Sequence, residues 1–169
     1  MTHSPKLATV NDSEELGALI ENMSDFRALD PFFRIIEQGL TGLVDGDHFF
    51  GLLAQDVVFD FIITVANYPR HVEGRANLVE LYRSYGATFF LDRCYDLRVH
   101  PSPSTSSVVL EYASEGRVVA TGQPYANRYI SVVVIKDRKV TAWRDYLDPL
   151  RVSAALEGRP FESDAREVT

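Results

Sequence analysis

Apolar residues recur at helical spacing through the first half of the chain and alternate with polar ones through most of the second. Leu16, Leu19, Ile20 and Met23 share a helical stripe, and Asn11-Asp-Ser-Glu-Glu15 before them supplies caps and an acidic first turn. This short helix covers either the main domain or a partner subunit. Asp30-Pro31 opens a second helix, aspartate at the N-cap and proline at the first helical position, with Phe32, Phe33, Ile35, Ile36, Leu40 and Leu43 as its apolar face through Val44. Asp45-Gly46-Asp47 stops it, and His48 to Ala54 reads as another short helix. Val57 to Ile63 is β-branched and aromatic enough to be a strand, followed by a loop from Thr64 to Glu73. A helix from Gly74 to about Tyr85 carries Leu78, Leu81, Tyr82 and Tyr85 on one stripe.

Strands then dominate. They are expected over Leu91 to His100, Ser107 to Ser114 with a break or bulge at Glu115-Gly116-Arg117, Tyr125 to Ile135, and Val140 to Leu147. Pro101 to Ser106 is a loop, Lys136 to Lys139 the tight turn of a hairpin, and Val152 to Leu156 a closing helix. Helices interleaved with one strand, then a run of antiparallel strands, predict an α+β fold with helices against one face of a curved sheet. The expected divisions are an arm and short helix over 1–29, the α+β domain over 30–157, and a tail over 158–169.

The last strand holds the candidate chemistry. Alternation places Trp143, Asp145 and Leu147 on one face and Arg144, Tyr146 and Asp148 on the other. A carboxylate between Trp143 and Leu147 on a core-facing stripe is costly unless it is paired or lines a pocket. Either it is bonded across the hairpin to Tyr125, Tyr129 or Asn127, or it serves as an acid or base whose pKa burial raises. On the neighbouring strand Tyr125, Asn127, Tyr129 and Ser131 share the inward face, whereas Ile130, Val132 and Val134 point outward. So apolar an outer face calls for a cover, either a second copy or the first helix. His71, in the loop after the first strand, is a candidate base at the cavity rim.

Composition narrows the function classes. The 169 residues carry 17 Lys plus Arg against 24 Asp plus Glu, a net charge of −7, which disfavours nucleic acid and anionic membranes. One cysteine, Cys94, excludes an internal disulfide and reads as packing, and the four histidines have no metal-ligand spacing. No apolar run has membrane-spanning length and no secretory h-region opens the chain, so cytoplasmic residence is expected.

Leu43-Val-Asp-Gly-Asp47, Leu53-Ala-Gln-Asp-Val57 and Glu73-Gly-Arg75, followed by Thr121-Gly-Gln-Pro-Tyr-Ala-Asn-Arg-Tyr129 and Trp143-Arg-Asp-Tyr-Leu-Asp-Pro149, resemble the SnoaL-like families of the nuclear-transport-factor-2-like superfamily. The resemblance runs from about Asp30 to Leu156 and implies a cystatin-like α+β barrel, a cone closed by helices, pairing as a homodimer through its sheet. Ketosteroid isomerase is similar in layout, but its base, tyrosine donor and acidic donor fall on Phe61, near Gly39 and near Ser131. Limonene epoxide hydrolase is more similar at the end of the chain, where its acid/base aspartate corresponds to Asp145. Its arginine and second aspartate fall near Tyr112 and Ser114, or on Glu111 and Ala113 after a one-residue slip, and its water-positioning pair on Phe59 and Phe61.

The resemblance therefore implies a SnoaL-like isomerase, cyclase or hydrolase acting on an apolar polyketide-, terpenoid- or steroid-like ligand, with Asp145 as the catalytic group. Phe59, Phe61, Tyr125, Asn127, Tyr129, Trp143 and His71 are the expected ligand-binding residues. No cofactor or metal is implied. The alternative is a binding module or dimeric structural protein of the same fold.

Overall fold

A computed structural model describes residues 12–160. The expected arm before Asp12 and most of the tail after Glu157 lie outside the described residues. Helix α1 (Asp12–Ile20), a 3₁₀ turn over Met23–Leu29, and α2 (Asp30–Gly39) come first. They are followed by β1 (Leu53–Ile63), β2 (His71–Glu73) and α3 (Arg75–Arg83). Four long elements, β3 (Phe89–Ser102), β4 (Ser107–Val118), β5 (Pro124–Lys136) and β6 (Lys139–Leu147), lead to a closing helix α4 (Pro149–Leu156). One six-stranded sheet runs in the order β2-β1-β6-β5-β4-β3, antiparallel except where β1 lies parallel to β6. This is the α+β cone, a curved sheet with helices closing its concave side.

Alternation on β4, β5 and β6 sets the inside of that sheet. Tyr112, Ser114, Tyr125, Asn127, Ser131, Val133 and Trp143 are buried, while Arg128, Ile130 and Arg144 face out. The β5–β6 hairpin turns through Asp137 and Arg138, both at positive φ, as a two-residue turn with the right-handed strand twist requires. Tyr112 and Ser114, not Glu111, point inward, and Glu111 instead meets His100 at 2.6 Å on the outer face.

An aromatic layer joins the helices to the sheet. Phe33 stacks on Phe49 at 4.6 Å between ring centroids, Phe26 meets Phe50 edge-on at 4.9 Å, and all four rings are buried. Leu16, Ile20, Phe26 and Leu29 enter the same core. Helix α1 thus covers its own domain, lying on α3 and the Phe49–Leu52 turn and not on the outer sheet face, which no helix among the described residues covers. It is latched by Arg75, a guanidinium 2% exposed that donates to Asp12 at 2.7 Å and to the Leu53 carbonyl at 3.2 Å.

Several local expectations are corrected. The helix expected over His48 to Ala54 is a 3₁₀ turn over Phe49–Leu52, and Leu53 already pairs with Val140, since strand pairing outweighs a short helical pattern. Asp30 is not an N-cap, because the preceding 3₁₀ turn runs directly into α2 and Leu29 holds the cap position. The loop from Thr64 to Glu73 ends in β2, paired to β1 through Asp60 and His71. Strand β3 extends through the expected loop at Pro101 to Ser102. Of the break or bulge expected at Glu115-Gly116-Arg117, the bulge is the one that forms: the β3–β4 register shifts there, with Leu91 opposite Gly116 and Arg93 opposite Glu115. There β4 continues, and Gly116 serves close approach, since a Cβ built on it would lie 2.1 Å from the Phe90 carbonyl oxygen.

Candidate active site

The cone holds a cavity of ≈ 280 Å³, open on one side, between the concave sheet face, α3 and α4. Its wall includes Phe61 from β1, Tyr68 and Val65 from the loop after it, and Tyr82 and Tyr85 at and just beyond the end of α3. Cys94, Tyr112, Tyr125, Tyr129 and Asp145 come from the sheet, and Val152 and Leu156 from α4.

Asp145 owes its position to two registers. It lies beside Ser131 of β5 and beside Phe61 of β1, so the hairpin and the parallel pair together aim it inward. Ser131 donates to Oδ1 at 2.6 Å and the indole Nε1 of Trp143 donates to the same atom at 3.0 Å. No donor among the described residues is bonded to Oδ2, and the carboxyl forms part of the cavity wall. Burial lifts the Asp145 pKa from its ordinary value near 3.8 to about 6, against the two hydrogen bonds that pull it down. The result is a carboxyl in the wall of a largely apolar void, anchored by one oxygen and with the other free of donors from the described residues.

Around it the phenols form two sets. On the sheet side, Tyr112 hydrogen-bonds Ser131 at 2.8 Å, extending the tether of Asp145. Tyr129 is bonded to Ser114 at 2.8 Å and to Tyr125 at 3.2 Å, and Tyr125 accepts from Asn127 Nδ2 at 2.9 Å. These hydroxyls are occupied by one another. On the opposite side, the hydroxyls of Tyr68, Tyr82 and Tyr85 make no hydrogen bond to a described residue, although their rings are largely enclosed. Burial pushes all three phenols above their ordinary value, and the charge of Asp145 adds to this at Tyr68 and Tyr82, so each stays a neutral donor. Burial also pushes the Cys94 thiol up to about 12, which removes it as a nucleophile.

Of the residues singled out in the sequence, Asp145, Phe61, Tyr125 and Tyr129 meet at the cavity. The other four do not line it. Phe59 and Trp143 stack on each other at 5.1 Å behind the wall, forming the floor under Asp145. Asn127 is 2% exposed and ties β5 to the end of β6, donating to the Asp148 carbonyl and accepting from the amides of Arg128 and Asp148. His71 stands outside the cone on β2, between Asp60 at 2.6 Å and Glu73 at 2.9 Å, because the two-strand pairing turns its side chain away from the concave face. The partners expected for a structural Asp145 are Tyr125, Tyr129 or Asn127, but Ser131 and Trp143 hold it instead. Tyr68, Tyr82 and Tyr85 are wall residues that the sequence does not single out, and Tyr112 joins them at the position where the resemblance would need an arginine. Tyr82 and Tyr85 fall on a stripe with Leu78 and Leu81 that reads as ordinary core.

No protein-family model matches the chain. Over 110 residues it is 31% identical to the uncharacterised protein YesE of Bacillus subtilis, covering 65% of this chain and 75% of that protein. Among solved structures, a candidate isomerase from Bacillus subtilis superposes with a TM-score of 0.63 at 26% identity, covering 81% of this chain and 96% of that one. A candidate polyketide cyclase from Pseudomonas putida superposes at 0.57 with 17% identity, covering 79% and 98%. An NTF2-like protein from Anabaena variabilis superposes at 0.52 with 23% identity, covering 75% and 92%. These last two likenesses concern the fold alone.

Proposed function

This chain belongs to the nuclear-transport-factor-2-like superfamily, in one family with YesE, and we propose that it is a small-molecule enzyme of the isomerase or cyclase type with Asp145 as general base. The observation that carries this reading is the Asp145 carboxyl itself, tethered through Oδ1, bare at Oδ2, and shifted to about 6 in the wall of a largely apolar cavity. A base with a pKa close to the working pH is both ionised and able to return its proton. Oδ2 removes a proton from a carbon next to a carbonyl, leaving an enolate. Where the ligand carries a neighbouring C=C bond, the enolate is conjugated with it, and returning the proton from Asp145 to the far carbon isomerises the ligand. Attack of the enolate carbon on a second carbonyl of the same molecule closes a ring, and the alkoxide so formed takes the proton back from Asp145, regenerating the base.

Hydrolysis through an aspartate–arginine–aspartate triad is the weaker reading, because Tyr112 and Ser114 stand where the arginine and the second carboxylate would be needed. A ligand carrier is the second reading. It is favoured by the cavity wall, in which Asp145 is the sole group charged at neutral pH among the described residues. A homodimer through the outer sheet face accompanies the proposal, supported by Ile130, which is 43% exposed on the same face as the partly exposed Val132 and Val134.

Deuterium exchange at the carbon next to the carbonyl, followed by NMR in D₂O, tests the reaction on a panel of aryl and cyclic ketones as surrogate substrates. Wild type is expected to accelerate exchange for the ketones it binds. Asp145→Asn should retain binding and lose exchange by about a hundredfold or more. Equal exchange by the variant removes Asp145 from the chemistry, and binding without exchange by wild type leaves the carrier.

A further inference from the structure

The hydroxyl groups on the sheet side of the cavity form two separate chains, and one of them ends on Asp145. Tyr125, Tyr129, Ser114 and Asn127 make the other, and none of their side chains bonds the Asp145 carboxyl. The chain that reaches the carboxyl runs from Tyr112 on β4 to Ser131 on β5 at 2.8 Å, and from there to Asp145 on β6 at 2.6 Å. Strand register produces it: Ser131 lies opposite Asp145, and Tyr112 lies opposite Tyr129, two residues before Ser131 on the same face. Stacking on Tyr129 at 5.1 Å and contact with Phe32 at 6.1 Å hold the Tyr112 ring in place. Both Tyr112 and Ser131 are buried.

Proton counting gives this chain one direction. An ionised carboxylate only accepts, so the O–H of Ser131 points to Asp145 Oδ1. Towards Tyr112 the serine oxygen can then only accept, and the donor is the phenol, which burial keeps protonated. The Trp143 indole, a donor with no acceptor site, meets the same Oδ1. A proton arriving on Oδ1 would face two donors, so it goes to Oδ2, for which no described residue supplies one. A hydroxyl that itself accepts a hydrogen bond is a stronger donor, because linked bonds polarise one another. Tyr112 thereby strengthens the bond from Ser131 to Oδ1, although its own hydroxyl does not bond Asp145.

We propose that Tyr112 is a positioning residue for the base: acting through Ser131, it stabilises the ionised carboxylate at Oδ1 and leaves Oδ2 as the oxygen that takes the substrate proton. The inference rests on the acid/base reading for the reaction, whereas the tuning of Asp145 is tested without a substrate. A guanidinium in place of the Tyr112 phenol would hold the carboxylate ionised throughout the working range. A neutral hydroxyl chain stabilises it by less, which leaves a base able to return its proton.

Aspartate labelled with carbon-13 at the side-chain carboxyl lets NMR follow the titration of Asp145 between pH 4.5 and 8, its signal being the one lost in Asp145→Asn. Burial pushes the phenols and the Cys94 thiol of the wall up, so they stay neutral over this range, and among the described residues no histidine, lysine or arginine lines the cavity. Tyr112→Phe is expected to raise the Asp145 midpoint by about 0.3 pH unit or more and to carry the acidic limb of deuterium exchange with it. Replacing Tyr112 with 3,5-difluorotyrosine, a stronger donor of nearly the same shape, is expected to lower the midpoint. In a Ser131→Ala background, Tyr112→Phe should leave the midpoint where Ser131→Ala alone puts it. Ser114→Ala, which breaks the neighbouring chain on the same strand, should also leave it in place. A tyrosine that merely fills the core would give neither the opposite shifts nor their dependence on Ser131. The proposal is overturned if Tyr112→Phe fails to raise the midpoint, if difluorotyrosine fails to lower it, if the shift persists without the Ser131 hydroxyl, or if Ser114→Ala shifts it as far. The expected shifts without any exchange by wild type sink the catalytic reading and leave the chain standing. Exchange without the shifts does the reverse.

Discussion

Replacing Asp145 by asparagine is expected to stabilise the fold while abolishing proton transfer. The side chains have the same shape, so Oδ1 of the amide still accepts from Ser131 and Trp143 and the NH₂ group takes the place of the oxygen facing the void. What the change removes is the cost of a buried charge. Folding moves the aspartate from an ordinary pKa near 3.8 to about 6, and at roughly 1.4 kcal/mol per tenfold change in proton affinity this amounts to on the order of 3 kcal/mol at neutral pH. The sign follows from proton binding. Between these two pKa values the folded state holds the proton more tightly than the unfolded one, so wild-type stability rises as pH falls from about 6 towards 4. The advantage of the variant is therefore complete above about pH 7 and gone below about pH 4. Urea unfolding of both proteins at pH 7.5, 6 and 4.5 measures it. A stability difference that does not shrink on acidification refutes the burial of a charge at Asp145.

Three further outcomes follow from single contacts. Ser131→Ala removes the closest donor to Oδ1, so the Asp145 pKa rises and the acidic limb of the exchange profile moves to higher pH, read by NMR-monitored exchange between pH 4.5 and 8. Gly116→Ala forces a methyl group against the Phe90 carbonyl and costs about 3 kcal/mol or more, measured by the urea midpoint; an unchanged midpoint contradicts the close approach of β3 and β4. Asp12→Ala leaves the Arg75 guanidinium without its carboxylate at the α1 latch. Because Asp12 is half exposed, the loss is about 1–2 kcal/mol rather than the full cost of a broken buried pair, and it shrinks at low pH as wild-type Asp12 protonates through its lowered pKa.

What the residue pattern foretells depends on whether it has one physical interpretation. The alternation of Trp143, Asp145 and Leu147 has one, and so does the polar set of β5, because in a sheet a side chain's parity decides its face. Parity also puts Asn127 correctly on the inner face, but it cannot tell a residue that lines a void from one that knots two strands together behind it. Helical spacing is still less specific. Leu78, Tyr82 and Tyr85 recur just as they would against solid core, and only the curvature of the sheet opposite makes the tyrosines a wall. His71 reads as a rim residue because β2, three residues long, is set by pairing with β1 and not by any local propensity.

The parallel pairing of β1 with β6 has a consequence for synthesis. Phe61 and Asp145, neighbours in the sheet, are separated by about eighty residues of chain, so a ribosome elongating at 5–20 residues per second needs roughly 4–16 s between making one and the other. During that interval the nascent β1 presents an unpaired, aromatic edge, a surface that chaperones or neighbouring nascent chains can engage. The strand that carries the proposed base is also the one that ends this exposure, so the cone closes and the carboxyl in its wall is desolvated in the same late event.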